Sequence, residues 1–332
     1  MLFRSAGDGT EKTNSLAGRI MKKYILKRIT AFLLVLLSVS LICFALINLF
    51  GNDPAQIIAR RGNINATHET IEAIRVEMGL DKPLMVRYLL WIRGLFIGDV
   101  GVSIYSFKPI MDDIGSYFPV SLILTGLSLL WALVVSVPAG ILCARFSGRI
   151  VDHVFRVLSV IGICFPPFWL GFLLLLAFAV KLPLFSVAPA PGLKGYILPS
   201  IALAVPIAGA FIRVFRAKLL KEMSSDHALY AKARGLSPGR ILAIHSLRNA
   251  APPVVTMLCQ YLGYLIAGAV VIESIFSLKG IGTYLVECVK ASDSTAAATC
   301  IVIISAIFIT ANFAGDLLNR FLCPWMVKEY NA

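Results

Sequence analysis

The residue types that most often do chemistry are dispersed along this sequence. The four histidines stand at positions 68, 153, 227 and 245, and none has the spacing of a metal ligand pair. The seven cysteines, at 43, 143, 164, 259, 288, 300 and 323, lie mostly inside or beside apolar runs without paired spacing, which predicts neither a disulfide framework nor a zinc site. We therefore expect this chain to bind no metal and no cofactor.

Nothing in the sequence predicts a nucleotide site either. The G-x-x-x-x-G-K-[ST] loop that cradles phosphates is absent, and the dipeptide Gly-Lys does not occur. We expect the chain to be non-catalytic.

Several polar residues do stand inside apolar runs, where such residues often mark a function. Glu273 and Asp316 could belong to a proton relay, but we expect each to be interfacial or paired, Asp316 preceding Arg320 by four residues. Asn48, Gln260, Tyr261, Tyr264 and Asn312 could line a polar pathway or join helices through hydrogen bonds. Both interpretations stay open.

The composition is typical of a membrane protein with several spans. Hydrophobic residues make up 58% of the 332 residues, the mean hydropathy is +0.83, and only 15% of the residues are charged. A net charge of +13 could indicate nucleic acid binding, but the basic residues are scattered between apolar runs. No nucleic acid partner is predicted, and membrane lipid is the expected surrounding.

Apolar runs long enough to cross a bilayer predict six transmembrane helices in an all-α fold. They are 29–50, 119–142, 157–180, 197–212, 253–275 and 297–315. Prolines at 138, 166, 167, 199 and 206 predict kinks or tilts in the second, third and fourth. The predicted organisation is a disordered leader (1–20), a first helix (21–50), an external segment (51–117), a five-helix core (118–323) with a loop at 213–251, and a tail (324–332).

Lysine and arginine counts predict the orientation of these helices. One side receives seven basic residues before the first span, three in Arg145–Arg156, eight in Arg213–Arg248 and two in the tail. The other side receives eleven, and seven of those fall in 51–117 beside eight acidic residues. Both termini are therefore predicted to be cytoplasmic, and 51–117 to face outwards.

The longest basic loop, "YAKARGLSPGRILAIHSLRNA" from Tyr230, is patterned as two short helices joined at Gly235. Ser224, Ser225 and Asp226 are candidate caps of the first helix, and Ser237-Pro238 begins the second. A positive-inside signal requires charge but no order, whereas small residues let a partner approach closely. The loop is interpreted either as such a signal alone or as a helix offered to a groove on a partner.

The external segment also has two interpretations. Its stretch "HETIEAIRVEMG", with Thr67 as cap, predicts a helix, and aromatic residues such as Tyr88, Trp91 and Phe96 follow. The segment either docks a delivery protein or caps the helix bundle.

Taken in order, six motifs resemble one family. They are "KRITAFLLVLLSVSLICFALINLF" at 27–50, "DPA" at 53–55, "MGLDKPLMVRYLLWI" from Met78, "GDVGVSI" from Gly98, "FPPFWLG" from Phe165, and "VVIESIFSLKGIGTYL" from Val270. With the Tyr230 loop, they resemble the permeases of bacterial ATP-binding-cassette (ABC) importers, in the dipeptide, oligopeptide, opine and nickel branch. The chain is similar to the type with a long external segment after the first span.

Two departures from that family pattern stand out. The family's coupling loop opens with an acidic residue six positions before its glycine, and Leu229 occupies that position here. The family often has Pro-Gly where this chain has Lys279-Gly280, so the loop there is expected to pack in its own way.

The resemblance implies a type I ABC-importer permease in the bacterial inner membrane. Its partners would be a second homologous permease, two ABC ATPase subunits and an extracytoplasmic solute-binding protein, and ATP and magnesium would be bound by the ATPase subunits. Its cargo would be small peptides or nickel and other metal complexes. The implied ATPase-coupling residues are Tyr230, Ala231, Ala233, Gly235, Arg248 and Asn249. The candidate external docking residues are Arg87, Trp91, Arg93, Gly98, Asp99, Gly101 and Ser103.

Two other classes of function agree less well with the sequence. A self-sufficient secondary transporter usually has discontinuous midplane helices with ion or proton sites, and no pair of buried acidic residues is evident here. A membrane anchor for a signalling assembly would not need six kinked spans.

Overall fold

The structure is a computed structural model, and it describes residues 26–46, 48, 53–62, 67–187, 190 and 192–322. The predicted leader at 1–20 and tail at 324–332 lie outside the described residues. Within those residues the chain is helical, and the β-structure consists of one isolated bridge between Val102 and Pro109.

Most helices begin or end at a proline, a glycine or a short polar turn. In chain order they are α1 (Leu26–Leu46), α2 (Pro54–Gly62), α3 (His68–Glu77), α4 (Leu84–Ile97), α5 (Ile110–Arg145), α6 (Ile150–Cys164), α7 (Pro167–Leu175, continued by a π-helical turn, Leu176–Lys181), α8 (Ile197–Met223), α9 (Asp226–Ala233), α10 (Pro238–Ile241, followed by a π-helical turn, Leu242–Ser246), α11 (Leu247–Gly268), α12 (Val270–Ile275), α13 (Ile281–Lys290) and α14 (Ser294–Leu322).

The all-α membrane architecture predicted from the sequence is confirmed. Among the described residues, four stretches are helical, long and apolar enough to cross a bilayer: Leu26–Leu46, Ile110–Arg145, Gly192–Met223 and Ser294–Asn319. The pair α6 and α7 makes a fifth if the two are counted as one broken span. The predicted run 253–275 coincides with α11 and α12, and the count of six spans stays a prediction.

Two predicted spans differ in shape from the expectation. The third is not a kinked helix but two helices bent by 95° at Phe165 and Pro166, because Pro166 and Pro167 cannot continue the hydrogen bonding of α6. The fourth does not end at 212: α8 runs through Arg213 to Met223 despite Pro206. Residues 213–223 of the predicted basic loop therefore belong to the membrane helix α8.

The helices place two sets of connections at opposite ends of the bundle. One end, named here the hairpin end, carries α9 and α10. The last part of α14 lies there because Asn319 donates to Thr256 in the first half of α11 (2.6 Å), and the ion pair between Arg28 and Asp316 (2.6 Å) brings the start of α1 beside it. At the opposite end, named here the far end, Phe44 at the end of α1 stacks on Trp91 of α4. Asp316 is thus paired, with Arg28 as its partner.

The core of the bundle lies where α5, α8 and α11 cross. Small residues let these helices approach closely: Ala132 of α5, Ala202 and Ala208 of α8 and Ala269 after α11 are buried in one cluster with Phe211. This core holds α8 in the middle of the molecule, with α6 and α7 packed along it.

The described part of the segment 51–117 is mostly helical. Thr67 caps α3 by accepting a hydrogen bond from the Thr70 backbone N–H (3.4 Å). The motif that runs from Met78 forms helix α4 only from Leu84, because Pro83 precedes it and Gly79 has a φ of +65°. The last residues of the segment 51–117, from Ile110 onwards, already belong to α5.

Candidate coupling and docking surfaces

The predicted coupling loop folds as a compact helical hairpin of α9 and α10 (Asp226–Ile241). Ser225 occupies the cap position of α9, although its side chain makes no capping hydrogen bond to the helix. Inside the hairpin, Ala228 and Ala231 are buried against Ile241, with Leu236 packed beside them. The hairpin therefore has a small apolar core of its own.

Gly235 closes α9 in a left-handed conformation, with a φ of +85°. The Leu236 N–H donates to the Ala231 carbonyl (3.2 Å) and the Gly235 N–H to the Lys232 carbonyl (2.9 Å), which is the pairing of a Schellman motif. The glycine predicted as a helix stop thus has a defined conformational role.

The exposed surface of the hairpin differs in one respect from the expectation. Ala231 faces its interior, so it cannot contact a partner, whereas Ala233 is exposed. Tyr230 is 67% exposed with the Arg234 guanidinium 5.8 Å from its ring centre, and Leu229 lies beside it. The surface offered to a partner is thus an apolar patch of Leu229, Tyr230 and Ala233 flanked by basic side chains.

The base of the hairpin is joined directly to two long helices. Only Ser224 and Ser225 separate α8 from α9, and a π-helical turn leads from α10 into α11. Asn249 is half-buried, and its Nδ2 lies 3.4 Å from His227 Nε2 on α9, whereas Arg248 is exposed. The hairpin is therefore joined to α8 and α11 by short connections.

An ion pair that the sequence analysis missed joins α6 to α8 at the hairpin end. Arg216 donates from Nε and Nη2 to the two carboxylate oxygens of Asp152 at 2.6 and 2.7 Å, and the Gly148 N–H adds a third hydrogen bond at 2.9 Å. Asp152 is fully buried. In the sequence, the only sign of this contact is the position of Asp152, four residues after Gly148 in a basic loop.

Two of the predicted docking residues at the far end are buried in the fold. Trp91 is 8% exposed, and its indole N–H donates to the Thr299 hydroxyl of α14 (3.2 Å). Ser103 is 1% exposed and donates to Asp293 Oδ2 (2.6 Å). Both attach the segment 51–117 to the start of α14, so neither is available to a partner.

The other docking candidates do lie at the surface. Arg93, Gly98, Asp99 and Gly101 are exposed, and Arg87 is half-buried at the rim of a cavity of about 380 Å³. Burial lowers the pKa of the Arg87 guanidinium from its ordinary value, an effect that the negative charge of Asp53 opposes. The surface of α4 and the turn after it thus carries both basic charges predicted for docking.

Glu273 is fully buried rather than interfacial. Ser121 of α5 donates to its Oε1 (2.5 Å), and the Thr283 N–H of α13 donates to its Oε2 (2.9 Å). A Cβ at Gly280 would overlap the carboxylate, so this position requires glycine. The requirement holds although Lys279 precedes it in place of the proline that is frequent in the family. Glu273 therefore fixes the loop at Lys279 and the start of α13, and no Lys, Arg or His among the described residues forms an ion pair with it.

No group of three or more His, Cys, Asp or Glu side chains that could hold a metal ion occurs in the part of the chain that the structure describes. The described surfaces suited to a role are the hairpin, the α4 surface and a cavity inside the bundle.

This fold, with two helices leading into a short hairpin at one end, is that of the membrane subunits of ABC importers. The family model for binding-protein-dependent transport system inner membrane components matches residues 136–328, and the model for the N-terminal part of such membrane components matches 21–125. The chain belongs to this family. The resemblance drawn from its motifs is confirmed.

Curated relatives agree over nearly the whole chain. The chain is 34% identical over 304 residues to the glutathione transport system permease protein GsiC of Escherichia coli strain K12, covering 92% of this chain and 98% of the relative. The same values hold for the protein of that name from Shigella dysenteriae serotype 1. This chain is thus a permease subunit of an ABC importer.

A solved structure supports the fold. A chain of the MetNI methionine ABC transporter, in an inward-facing conformation, matches with a TM-score of 0.54 at 20% identity, over 64% of this chain and 97% of that one.

Proposed function

We propose that this permease subunit translocates small peptides, delivered by an extracytoplasmic solute-binding protein, across the bacterial inner membrane. The relatives named for transport of glutathione, a tripeptide, support this cargo. Nickel and other metal complexes, the second cargo class expected from the sequence, remain the alternative to be tested.

The single observation that supports the mechanism best is the α9–α10 hairpin. It has its own apolar core, a glycine-dependent turn, an exposed patch at Leu229, Tyr230 and Ala233, and rigid connections to α8 and α11. A positive-inside signal would need none of these features. In our proposal the patch enters a groove on an ATPase subunit, and ATP-driven closure of two such subunits moves α8 and α11 as rigid bodies.

The far end is assigned to the solute-binding protein. Arg87 and Arg93 lie on α4, and the hydrogen bond from Trp91 to Thr299 joins α4 to α14. The docking surface on α4 would therefore move with the bundle. Basic side chains on such a surface would guide the encounter and set the register of an acidic surface on the partner.

Reconstitution tests the function. The chain with a second permease, two ATPase subunits and its binding protein should accumulate a radiolabelled tripeptide in proteoliposomes when ATP is supplied, with a nickel complex as the competing cargo. Alone, the chain should neither hydrolyse ATP nor accumulate either compound. Uptake by the chain alone, driven by a proton or sodium gradient, would contradict the proposal in favour of a secondary transporter.

A further inference from the structure

A cavity of about 710 Å³ lies where the break between α6 and α7 meets α8 and α11. Its wall includes Cys164, Phe165 and Phe168 at the break, Pro206 of α8, and Tyr261 and Tyr264 of α11. We name it the break pocket. It is separate from the hairpin and from the α4 surface.

The break pocket lies at the depth of the apolar spans. Its α8 residues, from Leu203 to Ala210, are in the half of Ile197–Met223 that precedes the basic residues, and the break stands midway along 150–181. A helix break at that depth leaves backbone groups without helical hydrogen bonds. In membranes such a backbone is tolerated where it is buried in protein or lines a water-filled space.

Polar side chains beside the break pocket are turned away from the rest of the chain. Tyr264 is 63% exposed, and Gln260, one turn earlier on α11, is exposed as well. Within the described residues neither side chain has a hydrogen-bond partner. Facing lipid, a phenol and an amide would lose hydrogen bonds to water without replacement, which is costly. This face of α11 is therefore suited to water or to a polar ligand.

The wall of the break pocket holds aromatic rings but no charge. Tyr261 and Tyr264 pack edge to face with ring centres 6.2 Å apart, and Phe165 stacks on Trp169 at 5.1 Å. No Asp, Glu, Lys, Arg or His is among the residues that line it. Such a wall offers ring faces and hydroxyl groups to a peptide backbone, yet has no fixed charge to hold it. Passage through a membrane requires that kind of weak binding.

We propose that the break pocket is this chain's part of the translocation pathway, with Phe165, Phe168 and Tyr264 as the aromatic side chains that contact short peptides. The inference rests on the proposed peptide transport and adds the residues and chemistry of the path. It assigns the exposed tyrosine, the break and the uncharged wall to one role.

Cys164 provides a native probe, since it lines the pocket and is exposed. The complete transporter, in membranes and turning over ATP and tripeptide, would be treated with a charged methanethiosulfonate reagent, and modification followed site by site with mass spectrometry. The matched control is Leu130→Cys, which is exposed near the middle of α5 but does not line the pocket. Such reagents attack the thiolate, which forms in water and not in lipid, so Cys164 and Tyr264→Cys should react about tenfold faster than the control.

Function is measured in the same samples. Modification of Cys164 should block tripeptide uptake, excess tripeptide should slow the modification, and Cys164→Ser should make uptake resistant to the reagent. Tyr264→Phe should keep uptake near the parent level because the ring remains, whereas Tyr264→Ala should hydrolyse ATP with reduced uptake.

The possible failures are distinguishable. Labelling at the rate of Leu130→Cys would place the break pocket against lipid or dry protein and overturn the inference, even if tripeptide is transported. Fast labelling without loss of uptake would also overturn it. If the predicted labelling and block are seen only with a nickel complex as cargo, the peptide assignment fails while the path residues stand.

Discussion

At the scale of single residues, the exposed and the buried glycines have different roles. Gly235 and Gly148 both have a positive φ, of +85° and +77°, and a Cβ at either would meet open space. Gly280 instead lies against the Glu273 carboxylate, where there is no room for a Cβ. Substitution at Gly235 therefore tests backbone conformation and partner contact without disturbing the core.

We expect Gly235→Leu to abolish cargo-stimulated ATP hydrolysis and uptake, and Gly235→Ala to be milder. Both carry the same left-handed backbone penalty, about 1 to 2 kcal/mol, but only leucine adds bulk on the surface meant for a groove. The measurement is stimulated ATPase activity and uptake of the reconstituted complex.

Gly192→Leu is the matched control, with a positive φ of +71° and equal space in the short turn before α8, and it should behave nearly as the parent. Near-normal activity of Gly235→Leu would mean that the hairpin is only a topology signal. Equal losses for alanine and leucine would assign the effect to strain alone.

The second residue-scale prediction concerns the exposed Arg93. Charge reversal in Arg93→Glu should weaken stimulation by the binding protein, mainly by slowing its encounter, and high salt should reduce the difference from the parent. Arg87→Glu should act in the same direction. Stimulation would be titrated with binding protein at low and high salt.

The control for this series is Arg149→Glu. Arg149 is exposed and lies in the loop between α5 and α6, at the hairpin end. Unchanged stimulation in both α4 variants would favour a role for the segment 51–117 as a cap on the bundle.

At the scale of elements, α6 and α8 are joined by a buried charged contact. Asp152 has three hydrogen-bond donors and is fully buried, so it depends entirely on its protein partners. This contact would keep α6 in step with α8, and hence with the hairpin, when the helices move.

Removing one member of this pair is expected to be strongly destabilising. Arg216→Met should lower the free energy of unfolding by about 3 to 5 kcal/mol, since it leaves a buried carboxylate unpaired. The double variant Asp152→Leu/Arg216→Met should recover part of the loss. Denaturant unfolding in detergent measures both.

The control is the pair Glu287 and Lys290 on α13, which lies at the surface with its atoms 2.8 Å apart. Lys290→Met should change stability little, because exposed pairs are weak. A loss from Arg216→Met no larger than that of the control would show that the α6–α8 contact is not energetically important.

At the scale of the whole molecule, the alternation of the helices places the basic connections at one end. The start of α1, the loop between α5 and α6, the hairpin and the last part of α14 share the hairpin end, whereas α2, α3, α4 and α13 lie towards the far end. This arrangement matches the two sides predicted from lysine and arginine counts. Which side faces the cytoplasm stays a prediction.

Thiol labelling in intact cells tests that orientation. In a cysteine-free background, Leu90→Cys should react with an impermeant maleimide, and Ile150→Cys should react only after permeabilisation. Both positions are exposed in the structure, so access across the membrane decides the outcome. The reverse pattern would overturn the topology.

The sequence alone determined the class, the helical architecture, the hairpin and its glycine turn, because apolar length, basic loops and capping residues are local signals. It could not determine which polar residues face inwards. Trp91 and Ser103 looked suited to partners, but they donate hydrogen bonds to Thr299 and Asp293, which are distant in sequence. Ala231 packs inside its own hairpin, and Glu273 found its hydrogen-bond donors on α5 and α13. Prolines predicted a kink in the third span but not its angle of 95°, and the Asp152–Arg216 contact required the packed bundle. Burial and hydrogen bonding of a side chain depend on neighbours that only the tertiary structure brings together.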